Sequence, residues 1–383
     1  MDKQQQKWYT ELYERIAGDY KQAAEDQMAV WEGRTPKCQP LLLHGWIPKE
    51  QSARFPDYNP GEIHHDKDKM LLYGMKQMLG VALQGAPSLR ANMGCGIYPS
   101  LFPGIEPLLF DDGKMPWVVK HLTPDEVRNL REKDIRITDE FKLALEHMVY
   151  LAEKVSGSGA CVYPLDLQGP FDTAHLVYGD RIFYDLYDEP ELIHHLLDLS
   201  VHAINLGLDE CLKILPNSDK FIAHYNDVVI PRSMGGIKIS EDTSTLVSAE
   251  HIEEFVIPYS NRVLRHAGGG YIHYCGKNDT LFEWVLEQEL ICGLNFGNPE
   301  KHDIDEALRR LAAAGKVYYG DIRKNENEDY PAFFLRLKKS ATVDGKCKLL
   351  LVAYAASEED DCLIRDAWRK ACAVNEFASP TMR

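Results

Sequence analysis

The sequence predicts an α/β protein, a (β/α)8 TIM barrel with an N-terminal helical extension, on three observations. Eight short apolar runs recur along the 383 residues, near 40–44, 89–93, 160–165, 220–226, 270–275, 291–296, 317–321 and 347–354. Stretches with apolar side chains at helical spacing alternate with these runs. Polar and ligand-type residues gather just after the runs, where a parallel barrel carries its catalytic groups.

Residues 5–32 read as a polar, amphipathic helical lead-in, and residues 1–36 as an extension of one 1–383 domain. "PLLLHGW" is the first strand, and "HHDKDKMLLYGMKQML" is a helix leading to "SLRANMGCG", a second strand that runs into a glycine-containing loop. "TDEFKLALEHMVYLAEKV" precedes "GACVYPLD", and "DEPELIHHLLDLSVHAINLGLDECLKIL" precedes "KFIAHYND". Residues 228–246 read as a turn-rich insertion. In "SAEHIEEFVIPYSNRVLRHA", Ser248 and Glu250 suit a helix start, but His251 occupies the position where a reciprocal capping box needs an acid or amide. "GYIHYCG", "ICGLNFGN", "KVYYGDI" and "CKLLLVAYA" complete the series. A doubly wound open sheet is the rival fold, but no Gly-x-Gly-x-x-Gly turn follows the first strand.

Composition narrows the functional classes. A net charge of −16 opposes partners that present many phosphates, so nucleic acid is not expected. No window approaches a membrane-spanning apolar length, and the first residues lack a signal-peptide core, so the expectation is a cytoplasmic protein. Nine scattered cysteines, an odd number, do not make a disulfide framework. Composition allows a homodimer without specifying one.

The strand ends collect His44, Asn92, Cys95, Asp166, Gln168, His224, Asp227, His273, Cys275, Asn295, Asn298, Asp321 and Tyr354, and the insertion adds Asp242. His273 and Cys275 carry the sharpest signal. Alternate residues of a strand share a face, so an imidazole and a thiol project side by side, and zinc accepts both. His224 and Asp227 offer general acid or base chemistry, and Asp242 and Tyr354 join them as catalytic candidates. His44, Asn92, Asp166, Gln168 and Asp321 are the substrate-binding candidates.

The stretches "QGPFDTAHLVYGDRIFYDLYDEPELIHHLL", "SEDTSTLVSAEHIEEFVIPYSNRVLRHAGGGYIHYCG" and "VYYGDI" occur in an order that resembles the uroporphyrinogen decarboxylase-like superfamily. That superfamily includes the zinc methyltransferases of the methylcobalamin:coenzyme M type. The resemblance runs from about Pro40 to the carboxyl terminus and implies the same barrel.

Its decarboxylase branch implies an arginine-rich grip on a polycarboxylated tetrapyrrole. Here "PLLLHGWIPKEQSARF" lacks the Arg-Gln-Ala-Gly-Arg pattern, leaving Arg54 and Arg90. Its methyltransferase branch implies His-x-Cys-Gly, matched by His273, Cys275 and Gly276, with a later cysteine as third zinc ligand. Cys347 falls at the start of the last strand and Cys362 beyond its end. The third ligand is therefore open among these, His44, His224, Asp227, Cys95 and Glu358. Asp242 matches an acidic position in the family's inserted loop, and Asp321 replaces an asparagine.

The resemblance implies zinc-dependent transfer of a methyl group from a methylated corrinoid to a small-molecule thiol. No Asp-x-His-x-x-Gly stretch binds a corrinoid, so methylcobalamin would bind transiently or arrive on a corrinoid protein as partner. The alternatives are a metal-free decarboxylase of a tetrapyrrole or other carboxylic acid, and a non-catalytic binding protein.

Overall fold

The computed structural model describes residues 1–80, 84–110 and 113–373, so residues 374–383 of the single-domain reading lie outside the described residues. Two helices open the chain. Helix α1 (Lys3–Ile16) starts at Asp2, whose carboxylate accepts the Gln4 and Gln5 N–H groups. Helix α2 (Lys21–Trp31) buries Val30 and Trp31 at its end. The lead-in is thus not an external appendage, because Trp31 packs with Leu42, Tyr271, Val317 and Leu350 on the inner face of the sheet.

Strands follow at β1 (Leu41–His44), β2 (Ser88–Leu89), β3 (Cys161–Val162), β4 (Phe221–Ala223), β5 (Val229–Pro231) and β6 (Ile237–Ser240). Then come β7 (Gly270–Tyr274), β8 (Ile291–Phe296), β9 (Val317–Asp321), β10 (Thr342–Val343), β11 (Lys346–Cys347) and β12 (Leu349–Tyr354). Six form a parallel sheet in the order β1-β12-β9-β8-β7-β6. A parallel bridge from Ser240 to Gln168 extends it toward the segment after β3, and β3 pairs in parallel with β2. Parallel pairing brings the carboxyl ends of these strands to one side.

Burial follows the period of two that strands impose. On β12, Leu349 and Leu351 pack outward among the helices, while Leu350 and Val352 face the inner cluster with Trp31. Both faces are covered, as a parallel sheet requires.

One predicted strand is displaced. The run near 220–226 is β4, but it pairs antiparallel with β5 and does not join the parallel sheet. That place is taken by β6, inside the segment expected to be a turn-rich insertion. The chain reverses because Asn226 and Asp227 adopt positive φ values of 59° and 62°, a region that asparagine and aspartate tolerate better than most residues. Val228, just before the returning strand, and Ile230 within it pack in the cluster with Trp31, so the hairpin is inserted beside the sheet.

The helix from Ser248 starts as expected. The Ser248 hydroxyl accepts the His251 N–H at 3.3 Å, without a reciprocal partner. Its second turn, Ile252–Val256, is a π-bulge just before Pro258, whose missing N–H cannot close an ordinary helical bond.

Candidate metal centre

Strands β6, β7 and β8 pair in register, with Ser240 beside His273 and His273 beside Asn295. This ladder assembles the centre. His273 lies near the end of β7 and Cys275 just past it, on the same face. Cys275 Sγ is 3.8 Å from His273 Nε2. Asp242, two residues beyond β6, places Oδ1 3.5 Å from His273 Nε2 and accepts the Cys275 N–H at 2.6 Å. Among the described residues, Asp242, His273 and Cys275 form a set of three ligand-type side chains whose atoms all lie within 4.8 Å of one another.

The histidine tautomer follows from its partners. Asn295 Nδ2 donates to the Tyr319 carbonyl at 2.7 Å, so Asn295 Oδ1 is left to face His273 Nδ1 at 2.5 Å. An amide oxygen only accepts, so Nδ1 carries the proton and Nε2 turns its lone pair toward Cys275 and Asp242. Burial pushes the His273 pKa below its ordinary value, and Lys238 adds to that, which keeps the ring neutral. Burial, with Asp242 beside it, pushes the Cys275 thiol up to about 11, so the free thiol is protonated at neutral pH.

The donor set fits zinc. Zinc bonds of about 2.0–2.3 Å in a tetrahedron put ligand atoms roughly 3.4–3.6 Å apart. The two separations from His273 Nε2, 3.8 Å and 3.5 Å, need only a small adjustment, and the thiol and carboxylate lie within 4.8 Å of each other. Three protein donors would leave a fourth position open on a tetrahedral ion.

Two acids that the strand-end reading did not single out, Asp172 and Glu241, help hold this arrangement. Asp172, in the first turn of the helix Pro170–Tyr178, accepts the N–H groups of Asp242 at 2.7 Å and Thr243 at 2.8 Å. Glu241 is fully buried and accepts from Ser244 at 2.7 Å and from Ser260. Its carboxylate lies so close to Gly169 that a Cβ there would come within 2.2 Å, so only glycine fits. Burial raises both acids, Asp172 well above its ordinary value and Glu241 to about 7. Behind the thiol, a Cβ at Gly297 would come within 2.5 Å of Cys275 Sγ. Asn298 Oδ1 accepts the Gly276 N–H at 2.9 Å and holds the turn after Cys275. Asp172 and Glu241 sit in "GPFDT" and "SEDTS"; an acid beside a proline-started helix was the available signal.

The remaining candidates lie elsewhere. Asp166 bonds Lys238 at 2.9 Å and Arg90 at 3.2 Å; burial alone would raise its pKa, but the two cations hold it far below the usual carboxylate range. Gln168 is buried at the bridge to Ser240. Asp321 is exposed at the end of β9. His224 is buried with Nε2 2.6 Å from the Gly236 carbonyl, and burial lowers its pKa to about 4. Asp227 Oδ1 accepts the Ser88 N–H at 2.9 Å, and burial raises its pKa to about 7. His44, Asn92 and Tyr354 gather around this hairpin tip, where Tyr354 donates to Asn226 Oδ1 at 3.2 Å and stacks on His44 with ring centroids 4.9 Å apart.

None of the other proposed third ligands joins the centre. Cys95 is half-buried, its thiol raised to about 12 chiefly by burial. Cys347 lies on β11 before the last strand, while Glu358 and Cys362 belong to the helix Glu358–Ala373. The arginines a polycarboxylate would need are already engaged: Arg54 pairs with Glu11 at 2.8 Å, and Arg90 with Asp166.

No family model matches the chain, and no curated protein matches it. Among solved structures it is similar to a methyltransferase from Methanosarcina mazei, with a TM-score of 0.62 over 91% of this chain and 98% of that one, at 12% identity. The shared property is the fold, an α/β architecture with a parallel central sheet. No helix among the described residues is long and apolar enough to cross a membrane.

Proposed function

We propose that the protein is a methyltransferase with a closed (β/α)8 barrel fold that transfers a methyl group from a methylated corrinoid to a small-molecule thiol, with zinc held by Asp242, His273 and Cys275. The observation that carries this reading is the convergence of those three donors with the His273 tautomer already set by Asn295. The fold shared with a methyltransferase supports the same class.

Zinc bound at this site would supply an open position where a thiol is held as its thiolate at neutral pH, the reactive form toward a methyl group. The chain's own residues prepare that chemistry. His273 offers a neutral Nε2 because Nδ1–H is engaged by Asn295. Cys275, protonated as the free thiol, would hold zinc as its thiolate, so metal uptake would release a proton and strengthen with pH. Asp242 is held by its backbone bond to Asp172 and by its own bond to the Cys275 N–H. The methyl donor would be methylcobalamin or a corrinoid on a partner protein.

The test is zinc content and methylcobalamin-to-thiol activity of the purified chain beside Asp242→Ala, His273→Ala and Cys275→Ala. Near-stoichiometric zinc that falls together with activity in all three variants supports the reading. Undiminished zinc-free activity in the variants refutes it.

A further inference from the structure

We infer that Cys38 and Cys372 form a modification site, a thiol pair that a small-molecule disulfide converts reversibly into a cross-link between the segment before β1 and the end of the last helix. The pair lies toward the amino-terminal ends of the strands, opposite the metal centre, and does not rest on the proposed methyl transfer.

The path of the last helix, Glu358–Ala373, brings the two thiols together. Near its start, Asp361 Oδ2 would lie 2.9 Å from a Cβ on Gly45, just past β1. Farther along, Trp368 Nε1 donates to the Gln39 carbonyl at 3.0 Å, just before β1. The helix therefore runs antiparallel to β1. From the Trp368–Gln39 bond, Cys372 is one turn onward on the same helix face, roughly 6 Å along the axis, and Cys38 is one residue back along the chain. Both lead away from that bond in the same direction. The Lys338 ammonium, in the helix Tyr330–Ser340, donates to the Ala371 carbonyl at 2.9 Å and to that of Cys372 at 3.5 Å, which holds the helix end in this place. Burial raises the Cys372 thiol, Lys338 opposes the rise, and Cys38 adds to it as a neighbouring like charge.

Exposure assigns the roles. Cys38 is exposed, in the irregular segment between α2 and β1, whereas Cys372 is half-buried. Cys347, a third thiol near Cys372, sits on β11 and is raised to about 11 by burial, so it is poorly placed to meet an oxidant. Among the described residues the three thiols do not converge closely enough to hold a metal ion. The Cys38 thiolate attacks one sulfur of the small disulfide, forms a mixed disulfide and expels the other half as a thiolate. The Cys372 thiolate then attacks the Cys38 sulfur and expels the remaining half. The two protein thiols lose two electrons, the small disulfide gains them, and the two thiol protons pass to the released small thiols. A protein disulfide needs Cα atoms within about 7 Å, and a loop residue and a residue of a last helical turn can reach that by local movement. The bond closes a loop of roughly 330 residues, which restricts the unfolded chain and leaves the folded one more resistant to urea.

The test equilibrates the reduced full chain with oxidised glutathione, alkylates the remaining thiols, digests without reduction and identifies linked peptides by mass spectrometry. A Cys38–Cys372 linkage at least about tenfold more abundant than any other pairing is expected, because proximity raises the effective concentration of one thiol at the other. The urea midpoint should rise with it, and dithiothreitol should reverse both. Cys372→Ser should leave Cys38 carrying glutathione and abolish the midpoint rise. Cys362→Ser, exposed on the same helix but roughly 15 Å away along its axis, should leave the linkage intact. Absence of the linkage, a Cys347–Cys372 linkage in its place, or a Cys38–Cys372 linkage no more abundant than after oxidation in urea would overturn the inference. None of these results touches the zinc and methyl-transfer tests, because Cys275 takes no part in the linkage.

Discussion

The two sides of the strand-end surface are built differently. Asp242, His273, Cys275 and Asn295 stand on or just beyond neighbouring strands of a parallel ladder, β6-β7-β8, whose register past the shift at Gly270–Tyr271 sets His273 between Ser240 and Asn295. Asn92 and Asp227 stand where regular pairing lapses, around the two-residue strand β2 and a hairpin tip, and His44 joins them from the end of β1, where it pairs with Tyr354. The ordered side brings donor atoms to metal-ligand separations and completes their hydrogen bonds from behind. The broken side leaves a cavity of about 290 Å³. Continuous pairing yields a pre-set coordination site, and interrupted pairing yields space.

The contrast can be broken most strongly at the thiol. Cys275→Ala is expected to lower zinc affinity by at least about 100-fold, since each ligand of a site worth 10 kcal/mol or more carries a large share. Competition with a chromophoric chelator measures it. Next comes the support behind the imidazole. Asn295→Leu should cost about 10–100-fold in zinc affinity through loss of tautomer and ring orientation, whereas Asn295→Asp, which keeps an acceptor, should retain most of it.

The broken side is probed through pH. Asp227 is raised to about 7 when folded, so the folded chain holds a proton that the unfolded chain releases above about 4, and this contribution declines as pH climbs from about 4 to about 7. His224, lowered to about 4, has the opposite slope, because the unfolded imidazole takes up a proton below about 6.5 that the folded one refuses. The two oppose each other in one window. Asp227→Asn removes the falling part, so its stability relative to the parent chain should rise by about 1–3 kcal/mol between pH 4 and 7, read from urea midpoints. The smallest effect is expected at Cys362→Ser, on the last helix, where zinc content should stay unchanged; a loss would move the third ligand away from Asp242.

Much of this was legible in the sequence because it rests on short-range pattern. The apolar runs at 270–275, 291–296 and 317–321 are strands within a residue of where they read. The two-residue spacing of His273 and Cys275 points both side chains one way, and they stand together at the end of β7, Cys275 one residue beyond it. The fourth parallel strand was hidden because "IKIS" is four residues long, lies between glycines and an acidic loop, and has a lysine whose partner, Asp166, is remote in sequence. "KFIAHYND" read as its substitute because nothing local shows that Asn226 and Asp227 reverse the chain.

The site shows the same division. Asp242 was recognised as a functional acid, but its place beside His273 follows from the bonds of Asp172 to the backbone at 242 and 243, seventy residues away in sequence. The third-ligand candidates in the sequence were thiols, imidazoles and the carboxylates Asp227 and Glu358, because spacing carries no information about a loop folding back over its neighbour. His224 and Asp227 looked like mouth residues because they follow an apolar run, yet both are buried in the hairpin.

The most direct test of the central claim is the absorption of the full chain loaded with Co2+ in place of zinc. A thiolate-to-cobalt charge-transfer band in the parent chain that vanishes in Cys275→Ser and changes in Asp242→Asn is the predicted result. A spectrum with no thiolate band, or one that survives Cys275→Ser unaltered, would contradict it.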